Sequence, residues 1–409
     1  MKPRFSRLTI NNLNTIEDIN NCEVANSDSF SEFIIIDGIL GTGINGKLRE
    51  NIKRAIEVIN SSNGLTISVD VPSGLDPLTG QIHDVAVKPQ YTVSFHKVKT
   101  GIHKAGEEKV GGIVTCDIGI PIEAEYFINH GDMIKLNKRS LKSHKGNNGK
   151  VLIVGGSKEY SGAPSIAGLA AIGAGADLVY VAAPESAALA ISTHPDLIVN
   201  SLKGDYLTAI HAEEILKMAD KVDAVLLGPG AGINDETGKL LNILASKIKK
   251  PLVLDADALK QVKPQIIKNR DDVILTPHIF EFKSFFGKDI KLDLDSYDFA
   301  EVDEIISEFQ QVVKQISGAV VVKGAIDLVI QKNKFKLNKS GNPGMTVGGT
   351  GDALAGIATS LLSKGLNAFD AATLAIFING LAGDEAYLEK GYGFGATDVV
   401  AHIGKVIKG

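Results

Sequence analysis

The segment NPGMTVGGTGDALAG, Asn342 to Gly356, sets one carboxylate, Asp352, behind a glycine-dense turn and runs directly into IATSLLSKG, which has helical periodicity. A glycine-rich turn ahead of a helix offers backbone N–H groups without internal partners, and the helix dipole adds partial positive charge at that end. Gly348, Gly349 and Gly351 are spaced to let the backbone approach a phosphate closely. The Lys-Ser/Thr pair of a P-loop is missing, so the Walker reading fails. A carboxylate at the mouth of an anion hole can instead take the proton of an attacking hydroxyl while the glycines stabilise a transferring phosphoryl group. The alternative is that Asp352 caps the helix and the glycines only turn the chain.

Other residues carry weaker signals, each with a plain structural alternative. Lys323 follows the apolar run AVVVKG and is either a point charge for phosphate or a solvated surface group. GPGAG, holding Gly230 and Gly232, either passes close to a ligand or is a turn. His278 in TPH either hydrogen-bonds a ribose or carboxamide or is a satisfied structural group. Glu281 and Lys283 either touch ligand or pair on a helix surface, and Asp255 with Asp257 suggests either a metal or two helix caps. Nearer the start, Gly41-Thr-Gly43-Ile-Asn-Gly46 follows the run FIIID, and Asp70 closes the next run, close to a dinucleotide fingerprint and an NAD-dependent dehydrogenase. Asp70 is otherwise a turn residue ahead of Pro72.

Elements able to position these groups are legible as apolar runs at 33–37, 66–70, 150–156, 177–183, 223–230, 251–257, 272–278 and 319–324, separated by helix-like segments. Continuous hydrophobicity predicts strands covered on both faces, hence an α/β fold with a doubly wound parallel sheet. The polar, basic text from Asn129 to Gly149 marks a domain boundary, placed between residues 137 and 138. The chain of 409 residues, 44% hydrophobic with net charge −5, is long enough for two cores and argues against nucleic-acid or membrane-surface partners. Two cysteines, Cys22 and Cys116, are too few for a disulfide framework or a four-ligand zinc site, which predicts a soluble protein of a reducing, cytoplasmic compartment.

Over residues 138–409 the segments SHKGNNGKVLIVGGSKEYSGAPSIAGLAAIGAGADLVYVA, VLLGPGAG, VLDADAL, LTPHIFEF, VVVKGAIDLV and the glycine signature resemble the ribokinase-like superfamily, and within it the ADP- or ATP-dependent NAD(P)H-hydrate dehydratases. The resemblance implies that Asp352 is the catalytic base. It implies that Lys323, Gly324, Ala325, Ile326 and Asp327, with Asn342, Gly344, Gly348, Gly349, Thr350 and Gly351, hold the nucleotide. Gly230, Gly232, His278, Glu281 and Phe282 would line the hydrate pocket. Mg²⁺ would arrive on the nucleotide phosphates, and the protein would form a homo-oligomer, a tetramer in the family.

Residues 1–137, through DGILGTGINGKLRE, SVDVPSGLDPLTG and the run from AVKPQ to DIGIP, resemble the later part of a Rossmann-like NAD(P)H-hydrate epimerase domain. Carried over, Asp70 lies at the epimerase centre, Gly41, Gly43 and Gly46 contact the hydrate, and Asp37 with Ser73 ligates K⁺. The family's GNNGGDG-type loop is not found ahead of DGILGTG, so the expectation is a partial epimerase domain with little activity.

Overall fold

Every one of the eight apolar runs forms a strand, and the fold is α/β with parallel sheets, as expected. The computed structural model describes residues 34–43, 47–136, 139–290 and 299–408. The chain divides into two units, Met1–Pro121 and Ile122–Gly409.

In the first unit β1 (Ile34–Asp37), β2 (Leu65–Val69), β3 (Tyr91–Phe95) and β4 (Gly112–Cys116) form a four-stranded sheet in the order 1-2-3-4, parallel throughout. Helix α1 (Glu50–Ser61) buries Ile52 and Ile56 with Val87, and α2 (Thr100–Ala105) buries Ile102 with Val71, Leu75 and Val110. These two small clusters hold the loops that follow the strands. β3 and β4 were not expected: YTVSF and GIVTC mix polar with apolar residues and lack a continuous apolar run.

The second unit is built on a nine-stranded sheet in the order β13-β12-β11-β10-β9-β8-β5-β6-β7. Its strands are β5 (Lys150–Val154), β6 (Leu178–Pro184), β7 (Leu197–Leu202), β8 (Ala224–Leu227), β9 (Leu252–Leu254), β10 (Val273–Leu275), β11 (Ala319–Val322), β12 (Asp327–Gln331) and β13 (Lys334–Asn338). Pairing is parallel except at β11–β12 and β12–β13, an antiparallel edge. The chain runs outward from β5 to β7, then returns to β8 on the other side of β5. Ligands of open α/β sheets bind where the strand order reverses in this way.

One face of this sheet is covered by α3 (Gly162–Gly173), α8 (Thr350–Ser363), α9 (Ala368–Lys390) and α10 (Ala396–Lys408). The other carries α4 (Asp235–Lys247), α5 (Asp257–Gln261), α6 (Ile279–Phe286) and α7 (Phe299–Val313). Helices on both faces explain why strands such as AVLL and AVVV are apolar on both sides. No helix among the described residues is long and apolar enough to cross a membrane.

The expected boundary at residues 137 and 138 falls outside the described residues. The segment before it packs with the second unit: Ile128 donates its N–H to the Leu337 carbonyl at 2.8 Å, and Lys135 pairs with Asp370 at 2.7 Å.

Helices α3 and α8 approach each other at Gly356, where an added Cβ would collide with the Ala167 carbonyl oxygen. Gly356→Ala is expected to destabilise the second unit by about 3 kcal/mol, since neither backbone can yield cheaply. A lowered urea midpoint checks this, and an unchanged midpoint would contradict it.

Candidate active site

At the carboxyl end of the large sheet, the loops after β8, β9, β10 and β11 meet the first turn of α8. β9 runs into Asp255, which is buried and whose Oδ1 accepts the Thr276 hydroxyl at 2.7 Å, tying two adjacent strand ends together. Ala256 follows in the left-handed region, φ +49°, an uncommon conformation for a residue with a Cβ. Asp257, next in the chain, accepts the Gly232 N–H on its Oδ2 at 2.9 Å. Neither aspartate therefore acts as a helix cap; both are tied to neighbouring loops.

β11 delivers Lys323, whose Nζ lies 3.6 Å from Asp255 Oδ1 and 4.0 Å from Glu281 Oε2. A Cβ on Gly351 would sit 3.3 Å from that ammonium, which places Lys323 against the first turn of α8 rather than in open solvent. Glu281 is buried on α6, and Lys260 lies 3.9 Å from its Oε1 and 3.3 Å from Asp257 Oδ1. His278 and Glu281 form a reciprocal cap: His278 Nδ1 accepts the Phe280 and Glu281 N–H groups at 3.2 Å, and Glu281 Oε2 accepts the His278 N–H at 3.1 Å. Burial lowers the His278 pKa, which favours the neutral ring this cap requires.

Asp352 is the third residue of α8. Its cap position belongs to Gly349, in the left-handed region at φ +99° and wedged where a Cβ would press on Ile166 and Ala396. Asp352 therefore does not cap the helix. Burial first, then the charge of Asp255, pushes its carboxyl up to about 7; Lys323 opposes the rise, while Asp257 and Glu281 add to it. A carboxylate poised near neutrality beside a lysine and a helix N-terminus is suited to accepting a proton next to an anion.

The loop before α8 is fixed from behind. Asn342 Oδ1 accepts the Gly344 N–H at 3.0 Å, while its Nδ2 donates to Asp384 Oδ1 at 3.0 Å. Gly341 donates its N–H to the other Asp384 oxygen at 2.9 Å, and the Thr350 hydroxyl donates to the Met345 carbonyl at 2.7 Å. Gly348 is exposed with open space around it. Asp384 gave no signal in the sequence, since it lies in α9 beside Glu385, far along the chain from the loop it holds. With this loop as the nucleotide seat that the resemblance implies, Asp384→Ala is expected to raise the nucleotide KM about tenfold, by loss of two charge-assisted bonds, with a smaller effect on kcat. Steady-state kinetics with nucleotide varied checks it.

In the turn from Lys323 to Asp327, Gly324 and Ala325 are exposed, whereas Ile326 and Asp327 point inward. Asp327 accepts the Gly324 N–H at 3.0 Å and the Asn338 amide at 2.9 Å, and burial pushes its carboxyl up to about 6. Phe282, expected at the pocket, lies instead in the core against Phe309, ring centroids 5.0 Å apart. An apolar ring on the inner side of α6 buries itself, so Phe282 supports the helix. Among the described residues no group of three or more His, Cys, Asp or Glu side chains is arranged to hold a metal ion. The three acidic side chains around Asp352 and Lys323, Asp255, Asp257 and Glu281, already accept protein donors, which suits Mg²⁺ carried on nucleotide phosphates better than a resident ion.

In the first unit Asp37 is buried: its Oδ2 accepts the Ser68 hydroxyl at 2.7 Å and the Ser73 N–H at 2.9 Å, and its Oδ1 accepts the Ser73 hydroxyl at 2.6 Å. Asp70, at φ +67°, pairs with Lys99, a partner the sequence did not reveal, and accepts the Phe95 N–H at 3.1 Å. Gly41 and Gly43 are exposed with nothing near a notional Cβ, so the close packing that fingerprint glycines serve in a dinucleotide fold is not found at these two positions. Gly46 lies outside the described residues.

Comparison with known proteins agrees with this geometry. Residues 151–405 match the family described as NAD(P)H-hydrate dehydratase, and residues 4–101 match the YjeF-related protein N-terminus. The bifunctional NAD(P)H-hydrate repair enzyme Nnr of Methanothermobacter thermautotrophicus is 47% identical over 91% of this chain and 72% of its own length. Among solved structures, a ribokinase-like superfamily protein from Enterococcus faecalis V583 aligns with TM-score 0.60 at 21% identity, over 69% of this chain and 95% of its own. The ADP/ATP-dependent NAD(P)H-hydrate dehydratase of Bacillus subtilis, co-crystallised with ATP/Mg²⁺, aligns with TM-score 0.54 at 22% identity, over 71% of this chain and 99% of its own. A ribokinase-like sheet that gathers Asp352, Lys323 and a glycine turn at one helix end, together with these matches, shows that the chain belongs to the family of bifunctional NAD(P)H-hydrate repair enzymes.

Proposed function

We propose that this protein dehydrates the S epimer of NADH-hydrate or NADPH-hydrate, using ADP or ATP as phosphoryl donor. The observation that carries the proposal is the placement of Asp352 and Lys323 at the same first turn of α8. The ring hydroxyl of the hydrate gives its proton to Asp352 as its oxygen bonds to the terminal phosphorus, and the bond from that phosphorus to the nucleotide breaks. Inorganic phosphate then leaves with the former hydroxyl oxygen, the ring loses a proton, and the double bond of the reduced nicotinamide returns. Phosphorylation turns a poor leaving group into a good one, so a kinase fold performs a net dehydration.

In this reading Lys323 neutralises charge on the transferring group, and the backbone of 348–351 receives its oxygens. The exposed turn at Gly324 and Ala325 and the loop held by Asn342 take the nucleotide. Gly230, Gly232 and the His278–Glu281 cap border the hydrate. Mg²⁺ on the nucleotide supplies charge neutralisation at the phosphates. In the first unit the oxygens of Asp37 and Ser73 are hard donors of the kind K⁺ takes, and Asp70 with Lys99 is the pair suited to proton transfer in epimerisation. A cytoplasmic homotetramer belongs to the same reading.

The test is recovery of the reduced-nicotinamide absorbance when protein meets S-epimer hydrate, Mg²⁺ and ADP or ATP, then the R epimer. Rapid recovery with the S form and one nucleotide supports the dehydratase and names its donor. No recovery with either nucleotide would overturn it, and recovery from the R form reads whether the first unit epimerises.

A further inference from the structure

β5 and β8 are neighbours, yet the chain leaves them in opposite directions, and the loops that follow part to open a crevice. One wall is the tight turn Ser157–Tyr160, closed by N–H···O bonds of 3.0 and 3.1 Å in both directions. The other is the chain from Gly230 to Asn234. Glu159, Tyr160, Tyr206, Gly232, Ile233 and Asn234 line a cavity of about 550 Å³ between them. Tyr160 and Ile233 are 59% and 65% exposed at its mouth, two large apolar surfaces of the kind a flat aromatic ring covers. Gly232 belongs equally to the catalytic cluster, through its N–H bond to Asp257 and its carbonyl, which accepts Gln261 Nε2 at 2.9 Å. Gly232 thus joins the cavity wall to Asp257, one of the carboxylates whose charge acts on Asp352.

The charges along this wall are unequal. Lys158 Nζ lies 3.2 Å from Asp205 Oδ2, and each neutralises the other. Glu159 is left as the unbalanced charge. The Tyr206 hydroxyl donates to its Oε1 at 2.6 Å and fixes its direction, while Oε2 has no partner among the described residues. A fixed carboxylate with an open oxygen accepts from the vicinal hydroxyls of a ribose, and it repels a phosphate esterified at the same position.

We infer that Glu159, held by Tyr206, is a specificity-determining residue that meets the adenosine ribose of the dinucleotide and favours a free 2′-hydroxyl over a 2′-phosphate. The inference rests on the dehydratase reading above, since it needs the hydrated ring at Asp352 and the remainder of the dinucleotide in the adjoining cavity. NADH-hydrate is then preferred over NADPH-hydrate, and the preference resides in KM rather than kcat.

The experiment compares kcat/KM for the two S-epimer hydrates with wild type, Glu159→Gln and Tyr206→Phe. Wild type is expected to favour NADH-hydrate about tenfold, Glu159→Gln to remove most of that ratio by lowering the NADPH-hydrate KM, and Tyr206→Phe to remove part of it. Turnover of both hydrates with equal KM, or a ratio untouched by Glu159→Gln, overturns the inference while leaving the dehydratase reading in place. In parallel, fluorescence titration with NADH and NADPH reads the same discrimination without turnover. Tighter NADH binding that Glu159→Gln levels supports the inference, and equal binding by wild type counts against it even where no hydrate turns over.

Discussion

Asp352→Asn is expected to bind ADP or ATP as wild type does and to lose about 10³-fold or more in kcat. The substitution keeps the shape of the side chain and removes the proton acceptor, an effect in the range of one general base. Nucleotide titration beside single-turnover dehydration checks it. A loss confined to nucleotide affinity would mean that Asp352 shapes the turn and does not move a proton. The same group sets the pH dependence. With its carboxyl at about 7, Asp352 is protonated and inactive as a base in acid, so kcat/KM is expected to rise through pH 6 to 8 with a midpoint near 7. A profile flat above pH 5 would place the controlling group elsewhere.

Lys323→Met is expected to be the second most damaging change, lowering kcat about 10²-fold by removing the ammonium beside the transferring phosphoryl group. Two secondary effects distinguish this role from that of a surface lysine. Asp255 and Glu281 lose a nearby cation in a buried setting, so the melting temperature falls. Lys323 also holds the Asp352 pKa down, so the midpoint of the pH profile in the variant shifts upward. An unchanged midpoint with unchanged kcat would return Lys323 to the surface role that its position after a strand first allowed.

The parallel core of the fold was legible because both faces of those strands are covered, and continuous runs such as AVVV carry no other message. Several strands that escaped notice alternate or lie at an edge: YTVSF places Thr92 and Ser94 inward, and KFKLN is the outermost antiparallel strand, led by an exposed Lys334. DLVIQ is buried but follows β11 across a short turn, so it reads as a continuation of the same run. Asp352 and its glycines could be read because the chemistry is compressed into one contiguous segment. The groups that act on it, Asp255, Asp257, Glu281 and Asp384, come from the end of β9 and from α5, α6 and α9, and no local pattern announces which carboxylates will converge on one segment. Phe282 misled for a related reason: adjacency to His278 and Glu281 in sequence says nothing about which side of a helix a ring takes.

The clamp of Asp384 on Gly341 and Asn342 has a consequence for the way nucleotide is captured. Because α9 holds the loop through bonds of 2.9 and 3.0 Å, little conformational entropy is left for the loop to lose if, as proposed, it takes the nucleotide. Association should therefore proceed in one kinetic phase, its rate linear in nucleotide concentration, with no slower rearrangement following the encounter.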